Sequence, residues 1–256
     1  MAMMVSDRLA ASVAALPRPW VGHYFASLDS TQDRARTAAR QGAPGQSLFV
    51  ADYQRAGRGR QGRIWRARPG DGLLLSIVFR DSQRSPVPWR WTSLASVSLV
   101  EAVEQVVPSV QPAIKWPNDV VLGQRKLAGV LAESAWDGRQ LVVIVGVGVN
   151  VRTTEAELIE LGGPATSLRA AGGADVDRGD LLLALVDRMT SWLDRPWPAL
   201  HRVWEGRLWG RGQRLRLLDL GQTEDVVVLG TEADGSLRVR LADGSERTTT
   251  TGELLL

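Results

Sequence analysis

A chain of 256 residues and 27.9 kDa, 44% hydrophobic and free of cysteine, can bury a sizeable core and depends on no disulfide. Its 31 basic residues stand against 28 acidic ones, and a formal charge of +3 excludes a polybasic nucleic-acid tail or membrane patch. The longest apolar run, residues 141–149, is about half the ~18 residues a spanning helix needs, so no membrane partner and a cytoplasmic location are expected.

Residues 1–20 read as a leader ending in Leu16-Pro17-Arg18-Pro19-Trp20, which cannot continue a helix. Asp7 and Arg8 cancel where a signal peptide would carry net positive charge. A DNA-binding domain takes ~50 residues or more, so this leader predicts no DNA partner and no repressor activity. From Gly22 onward helices and strands alternate. The spacing predicts helices over 31–41, 91–107 and 180–193 and buried strands over 47–53, 73–79, 126–135 and 141–147, a mixed α/β or α+β pattern. After Trp209 the character changes to four short β-runs, 215–219, 225–232, 236–243 and 246–251, two of their turns carrying Asp-Gly pairs, which predicts a small β-barrel.

Four constellations carry chemistry. Asp29-Ser30-Thr31-Gln32 opens the first helix; Ser30 or Thr31 caps it, and the same geometry can aim hydroxyls at a polar ligand. Residues 55–68 hold six arginines and three glycines, with no acid between Asp52 and Asp71. Glycine lets the backbone approach a ligand and arginine forks bind carboxylate or phosphate, so a small-molecule anion site, an RNA-type contact and a solvated surface loop all fit. The third is Lys115-Trp116-Pro117-Asn118-Asp119 followed by Lys126. Of the basic residues 29 are arginine, and Lys115 and Lys126 are the only lysines. Where arginine serves everywhere else, a retained lysine points to a site needing a compact ammonium, two incidental surface lysines being the alternative. The fourth is Gly146-Val147-Gly148-Val149-Asn150. A dinucleotide fingerprint would need glycine at 151, where Val151 stands, so this reads as a glycine-flanked strand whose Asn150 can meet a base or ribose, or as a packing turn. His23 and His201 stand too far apart, without cysteine, for a structural zinc site.

In this order Ser30-Thr31-Gln32, Tyr53-Gln54, Gly57 to Arg63 with Trp65, Lys115 to Asp119, Lys126-Leu127-Ala128-Gly129 and Gly146-x-Gly148-x-Asn150 resemble the biotin protein ligases, from about Tyr24 to the last residues. The resemblance is to the monofunctional type without an N-terminal DNA-binding domain. It implies an α+β fold with a class II synthetase-like catalytic core over 21–209 and an SH3-like barrel over 210–256. It implies an enzyme that joins biotin and ATP into biotinyl-5′-AMP and passes the biotinyl group to a lysine of the carrier domain of an acyl-CoA or pyruvate carboxylase. By resemblance Ser30, Thr31 and Gln54 hold the ureido end of biotin, with Gln32 nearby and Gly129 also in the biotin site. Gly57, Arg58, Gly59 and Arg60 belong to a loop that closes over it, and Lys115 contacts the carboxylate and phosphate. Lys115, Arg58 and Arg60 are the implied catalytic residues. Arg60, Arg63, Trp65, Asn118, Lys126 and Asn150 are implied on the nucleotide side, and Asp119 as an aid to Mg²⁺. ATP and Mg²⁺ are required, and no tightly bound prosthetic group is expected. Arg55 departs from the small polar residues common in relatives. A lipoate or octanoate ligase would share the core but lack the Arg/Gly loop, and an RNA-binding module would not account for Lys115 to Asp119.

Overall fold

The structure, a computed structural model, describes residues 8–81, 88–161, 163–172 and 176–255. Helix α1 (Leu9–Ala14) precedes β1 (Val21–Phe25), α2 (Thr31–Arg40) and β2 (Ser47–Ala51). Two short strands, β3 (Gly57–Arg58) and β4 (Ile64–Trp65), lie in the long connection to β5 (Gly72–Asp81). Then come α3 (Pro88–Val106), β6 (Ala113–Lys115), β7 (Asp119–Leu122), β8 (Arg125–Trp136), β9 (Leu141–Asn150), α4 (Glu155–Leu161), α5 (Leu168–Gly172), α6 (Arg178–Leu193) and α7 (Trp197–Gly206). The last five strands are β10 (Arg214–Asp219), β11 (Gln222–Thr231), β12 (Leu237–Arg240), β13 (Glu246–Thr249) and β14 (Glu253–Leu254).

The two most apolar runs, β5 and β9, are the antiparallel centre of a seven-stranded sheet of order β1-β2-β5-β9-β8-β7-β6. Only the β1–β2 pair is parallel. Strand alternation sends Leu48, Leu75, Ile77, Val145 and Val147 to one face, where they meet the apolar sides of α3 and α6. Phe49, Val78, Val142 and Ile144 point to the other, under Ala35, Ala38 and Ala39 of α2. On this second face the paired residues of β5 and β9 run Val78/Ile144, Ser76/Gly146, Leu74/Gly148. The first pair lies under α2; beyond it serine and glycine shorten the side chains and leave room for a cleft beside the helix N-terminus.

The described part of the leader, residues 8–20, contains the helix α1, whose Leu9 and Val13 are buried in the main core with Trp20, and Arg8 is bonded to Asp177 and Asp180 at the start of α6. The C-terminal strands form a five-stranded antiparallel sheet of order β13-β12-β11-β10-β14, consistent with an SH3-like domain. No pairing joins β13 to β14 among the described residues, so the expected barrel lacks that closing ladder. Its Asp-Gly turns are built as expected: Asp234 accepts from the amide and hydroxyl of Ser236, Asp243 does the same for Ser245, and Gly235 and Gly244 take φ of +86° and +87°.

Tryptophans fasten this sheet to the main domain. Trp116 is fully buried, stacks on Trp89 at 5.9 Å between centroids, and donates its indole N–H to the Gly235 carbonyl at 3.1 Å. Trp197 donates to Ala233 O at 2.7 Å. Among the described residues no helix is long and apolar enough to cross a membrane.

Candidate active site

All the expected site residues except Gly57, Lys115 and Asn150 line a single cleft of about 150 Å³ on the α2 face of the sheet. At its inner end four uncharged side chains interlock. Ser30 caps α2 by accepting from the Asp33 amide at 3.4 Å, which leaves Thr31 and Gln32 at the helix entrance. The Thr31 amide and hydroxyl both donate to Gln54 Oε1, at 2.7 and 3.0 Å, and Thr31 Oγ1 lies 2.9 Å from Ser76 Oγ. Ser76 Oγ donates to Gln32 Oε1 at 3.0 Å, and Gln32 Nε2 donates to Glu133 Oε2 at 2.8 Å. These bonds hold the four side chains against one another, so the wall presents uncharged donors and acceptors to a polar but neutral group.

The floor is glycine. A Cβ on Gly146 would lie 2.6 Å from Gln32 Oε1, and one on Gly148 would lie 2.6 Å from Trp65 Cε2. Gly148 faces Gly129 across the β8–β9 ladder, and a Cβ on Gly129 would also approach Trp65, at 3.3 Å from Cζ3. The pair Gly146-x-Gly148 is therefore neither a phosphate loop nor a packing turn: both residues lie inside a strand, where removing the side chain lets Gln32 and the Trp65 ring settle on the sheet. The Trp65 indole N–H is buried without a hydrogen-bond partner, and the Lys126 ammonium stands over the ring at 5.7 Å from its centroid.

The outer end is ionic. Lys126 Nζ is 2.7 Å from Asp119 Oδ1, and Lys115 Nζ is 3.7 Å from Asp119 Oδ2. Lys115 is 2% exposed and also donates to Leu254 O at 2.8 Å and Glu253 Oε1 at 3.3 Å. Glu253, from β14, lines the cleft and takes Arg63 at 2.7 Å. Burial works against its ionisation, but the Arg63 hydrogen bond and the Lys115 charge hold its carboxyl below the usual range. Arg60 donates to Asn118 Oδ1 at 2.9 Å; burial lowers its pKa, with Asp119 and Glu253 acting the other way. Arg58 is held at the rim by Asp33 at 2.7 Å and Glu133 at 3.5 Å, and the Asp33 hydrogen bond raises its pKa.

Four of the expected residues are placed in ways the sequence did not show. Lys115 is not on the cleft wall but behind it, where Asp119 separates it from Lys126. Asn150 is buried outside the cleft lining, at the end of β9, where its Nδ2 donates to the Thr166 carbonyl at 3.0 Å. Gly57 serves the wall indirectly: it pairs with Trp65 across the β3–β4 ladder, and a Cβ there would meet Trp65 O at 2.5 Å. Asp119 does not fit the role of a Mg²⁺ ligand, because it is 5% exposed and both its oxygens already face ammonium groups. Among the described residues no three His, Cys, Asp or Glu side chains gather to hold a metal.

Three residues of the site escaped the sequence reading, Ser76 and Glu253 on the cleft wall and Glu133 beside it, bonded to Gln32. Ser76 is the one polar residue in the apolar stretch 73–79, a visible signal once its partner Gly146 is known. Glu133 sits beside a serine in β8 with nothing local to mark it. Glu253 reaches Lys115 across 138 positions of sequence, a distance no spacing argument bridges.

Fold and cleft together define a class, a mixed α/β core with a cleft on one face of its sheet that is neutral at one end and ionic at the other, the ionic end closed by a small β-domain. Within that class the chain belongs to the biotin/lipoate A/B protein ligase family, which its residues 24–150 match. The bifunctional ligase/repressor BirA of Bacillus subtilis is 33% identical over 233 residues, covering 88% of this chain and 70% of that protein. The biotin–[acetyl-CoA-carboxylase] ligase of Mycobacterium tuberculosis is 35% identical over 204 residues, covering 77% of this chain and 73% of that one. Among solved structures, the biotin protein ligase from Aquifex aeolicus in complex with biotin and ATP aligns with a TM-score of 0.76 and 27% identity, over 91% of this chain and 96% of that one.

Proposed function

We propose that the protein is an ATP-dependent biotin ligase that makes biotinyl-5′-AMP and transfers the biotinyl group to a lysine of a carboxylase carrier domain. The observation that carries this reading is the polarity of the cleft, a neutral hydrogen-bonding wall at Thr31, Gln54, Ser76 and Gln32 facing an arginine- and lysine-rich end in one continuous cavity. The neutral wall suits a ureido group and the ionic end suits a carboxylate beside a phosphate. The reading takes acyl-CoA and pyruvate carboxylases as the acceptor class and the cytoplasm as the place of reaction.

In the first step the biotin carboxylate oxygen attacks the α-phosphorus and pyrophosphate leaves. A carboxylate is already ionised at pH 7, so no base is needed. Two anions have to meet, so the barrier falls through positioning and fixed positive charge. Lys126 faces the cleft for this purpose and Arg58, Arg60 and Arg63 arrive on the loop, while Lys115 strengthens the field from behind. In the second step a carrier lysine amine attacks the acyl carbon, the bond to phosphate breaks, and AMP leaves with release of the amine proton. Between the steps the mixed anhydride needs shelter from water, which a glycine-jointed loop can provide.

The test is to incubate the protein with a carrier domain, ATP and its Mg²⁺ counter-ion, and either biotin or lipoate, and weigh the carrier. A biotin-sized gain is expected, and a lipoate-sized gain alone would replace this reading with the lipoate ligase. Lys115→Ala is expected to slow pyrophosphate release by about tenfold or more. Unchanged release would remove Lys115 from the electrostatics of the first step.

A further inference from the structure

The connection between β2 and β5, residues 52–71, carries all the arginines that the loop brings to the cleft. β2 and β5 are antiparallel neighbours with Ala51 opposite Leu74, so this is a hairpin connection some twenty residues long with a narrow mouth. A long connection has many open conformations, and those with its arginines over the cleft are selected only if its ends are fixed.

One side chain bridges that mouth. Arg178, the first residue of α6, is 3% exposed and does not line the cleft. Its Nη1 donates to the Gly72 carbonyl at 2.9 Å, and its Nη2 bonds the Asp52 carboxylate. Around this bridge the Gly70 amide donates to Asp52 O at 3.3 Å, and the Val151 and Arg152 amides donate to Asp71 O at 3.1 and 2.8 Å. The first turn of a helix disfavours a cation, and burial of a guanidinium costs still more. A planar fork with donors in two directions is what joining Gly72 to Asp52 requires, and Asp71 adds a nearby negative charge.

We propose that Arg178 is a positioning residue that clamps both stems of the Arg/Gly loop and so sets how long the closed loop retains the acyl-adenylate. The retention half of this proposal rests on the ligase reading above; the clamp itself does not. A lysine at 178 would keep the charge but lose the fork, reaching one stem at a time. Freed stems lower the population of the closed loop, and the adenylate escapes in proportion.

The loop's own arginines supply the measurement. Trypsin cleavage at Arg55, Arg58, Arg60, Arg63, Arg66 and Arg68 is followed by mass spectrometry with and without biotin plus ATP, beside the release rate of preformed biotinyl-AMP and the thermal midpoint. Arg178→Lys is expected to accelerate loop cleavage in the free protein and adenylate release, each by about tenfold, while cleavage elsewhere stays unchanged. Asp52→Asn removes the outer partner only; it is expected to act in the same direction by a smaller factor and to add nothing in the double variant. Loop cleavage and release at wild-type rates in either variant would overturn the proposal, as would cleavage that rises equally over the whole chain. If Arg178→Lys does not fold, Asp52→Asn decides alone. A wild-type protein that forms no adenylate would sink the ligase reading, and the ligand-free cleavage would still judge the clamp.

Discussion

At the scale of single residues the cleft depends as much on atoms left out as on groups put in. Gly146, Gly148 and Gly129 remove side chains where Gln32 and Trp65 lie on the sheet. Gly148→Ala adds one carbon 2.6 Å from the Trp65 ring, in a strand whose backbone tolerates alanine. The ring has to lift, so KM for ATP is expected to rise about tenfold with only a small change in thermal midpoint. Steady-state kinetics at varied ATP checks this, and an unchanged KM would separate Trp65 from nucleotide binding. Glu253 makes a second prediction. Its carboxyl is held below the model-compound value of 4.5 in the folded state, so its ion pairs contribute stability that is present above that value and lost as the pH falls through the folded-state pKa. Urea unfolding of wild type and Glu253→Gln is therefore expected to differ at neutral pH and to converge in acid; a gap that persists undiminished in strong acid would contradict it. Local chemistry made much of this scale legible. Ser30 announces a cap, and Gln54, Trp65 and the arginines between them announce a ligand loop. The bond from Asn150 to the Thr166 carbonyl, sixteen residues on, was not legible, because it forms only when the two segments meet in three dimensions.

Secondary-structure elements were easiest to read where both periodicity and burial agree. The runs in β5 and β9 are apolar on both faces and α6 has a continuous apolar side, so their places followed from pattern. Short pieces did not: β6 and β7 flank Pro117 and are held by ladder bonds to neighbours rather than by any preference of their own. The function of Trp116 was hidden for the same reason. It lies within the lysine-bearing motif but faces the β11–β12 turn, where its indole bonds Gly235 O beside Trp89. That turn leaves no space: Gly235 has φ of +86°, and a Cβ would fall 2.2 Å from Trp89 Cγ. Gly235→Ala is expected to destabilise the protein by about 2–4 kcal/mol, combining backbone strain with overpacking. Denaturant melts with activity measured in parallel check it, since loosening this turn also loosens β14 and its grip on Lys115. A variant as stable as wild type would show the turn to be free to shift.

The molecule as a whole is one sheet domain whose binding face is completed by another. The α2 face offers the neutral wall from its own residues, and the ionic end is finished by Glu253 and the Leu254 carbonyl. Lys115 and Trp116, adjacent in sequence, reach the C-terminal sheet at two separate points, Leu254 and Gly235. This arrangement has a consequence for biosynthesis. Lys115 emerges from the ribosome 139 residues before the carbonyl that fixes it, on the order of ten seconds of elongation. A nascent chain can assemble its central sheet in that time, yet its buried ammonium has only Asp119 for company until the final strand docks. The cation cluster thus becomes whole only when the C-terminal sheet has folded and docked, which ties its assembly to the synthesis of β14.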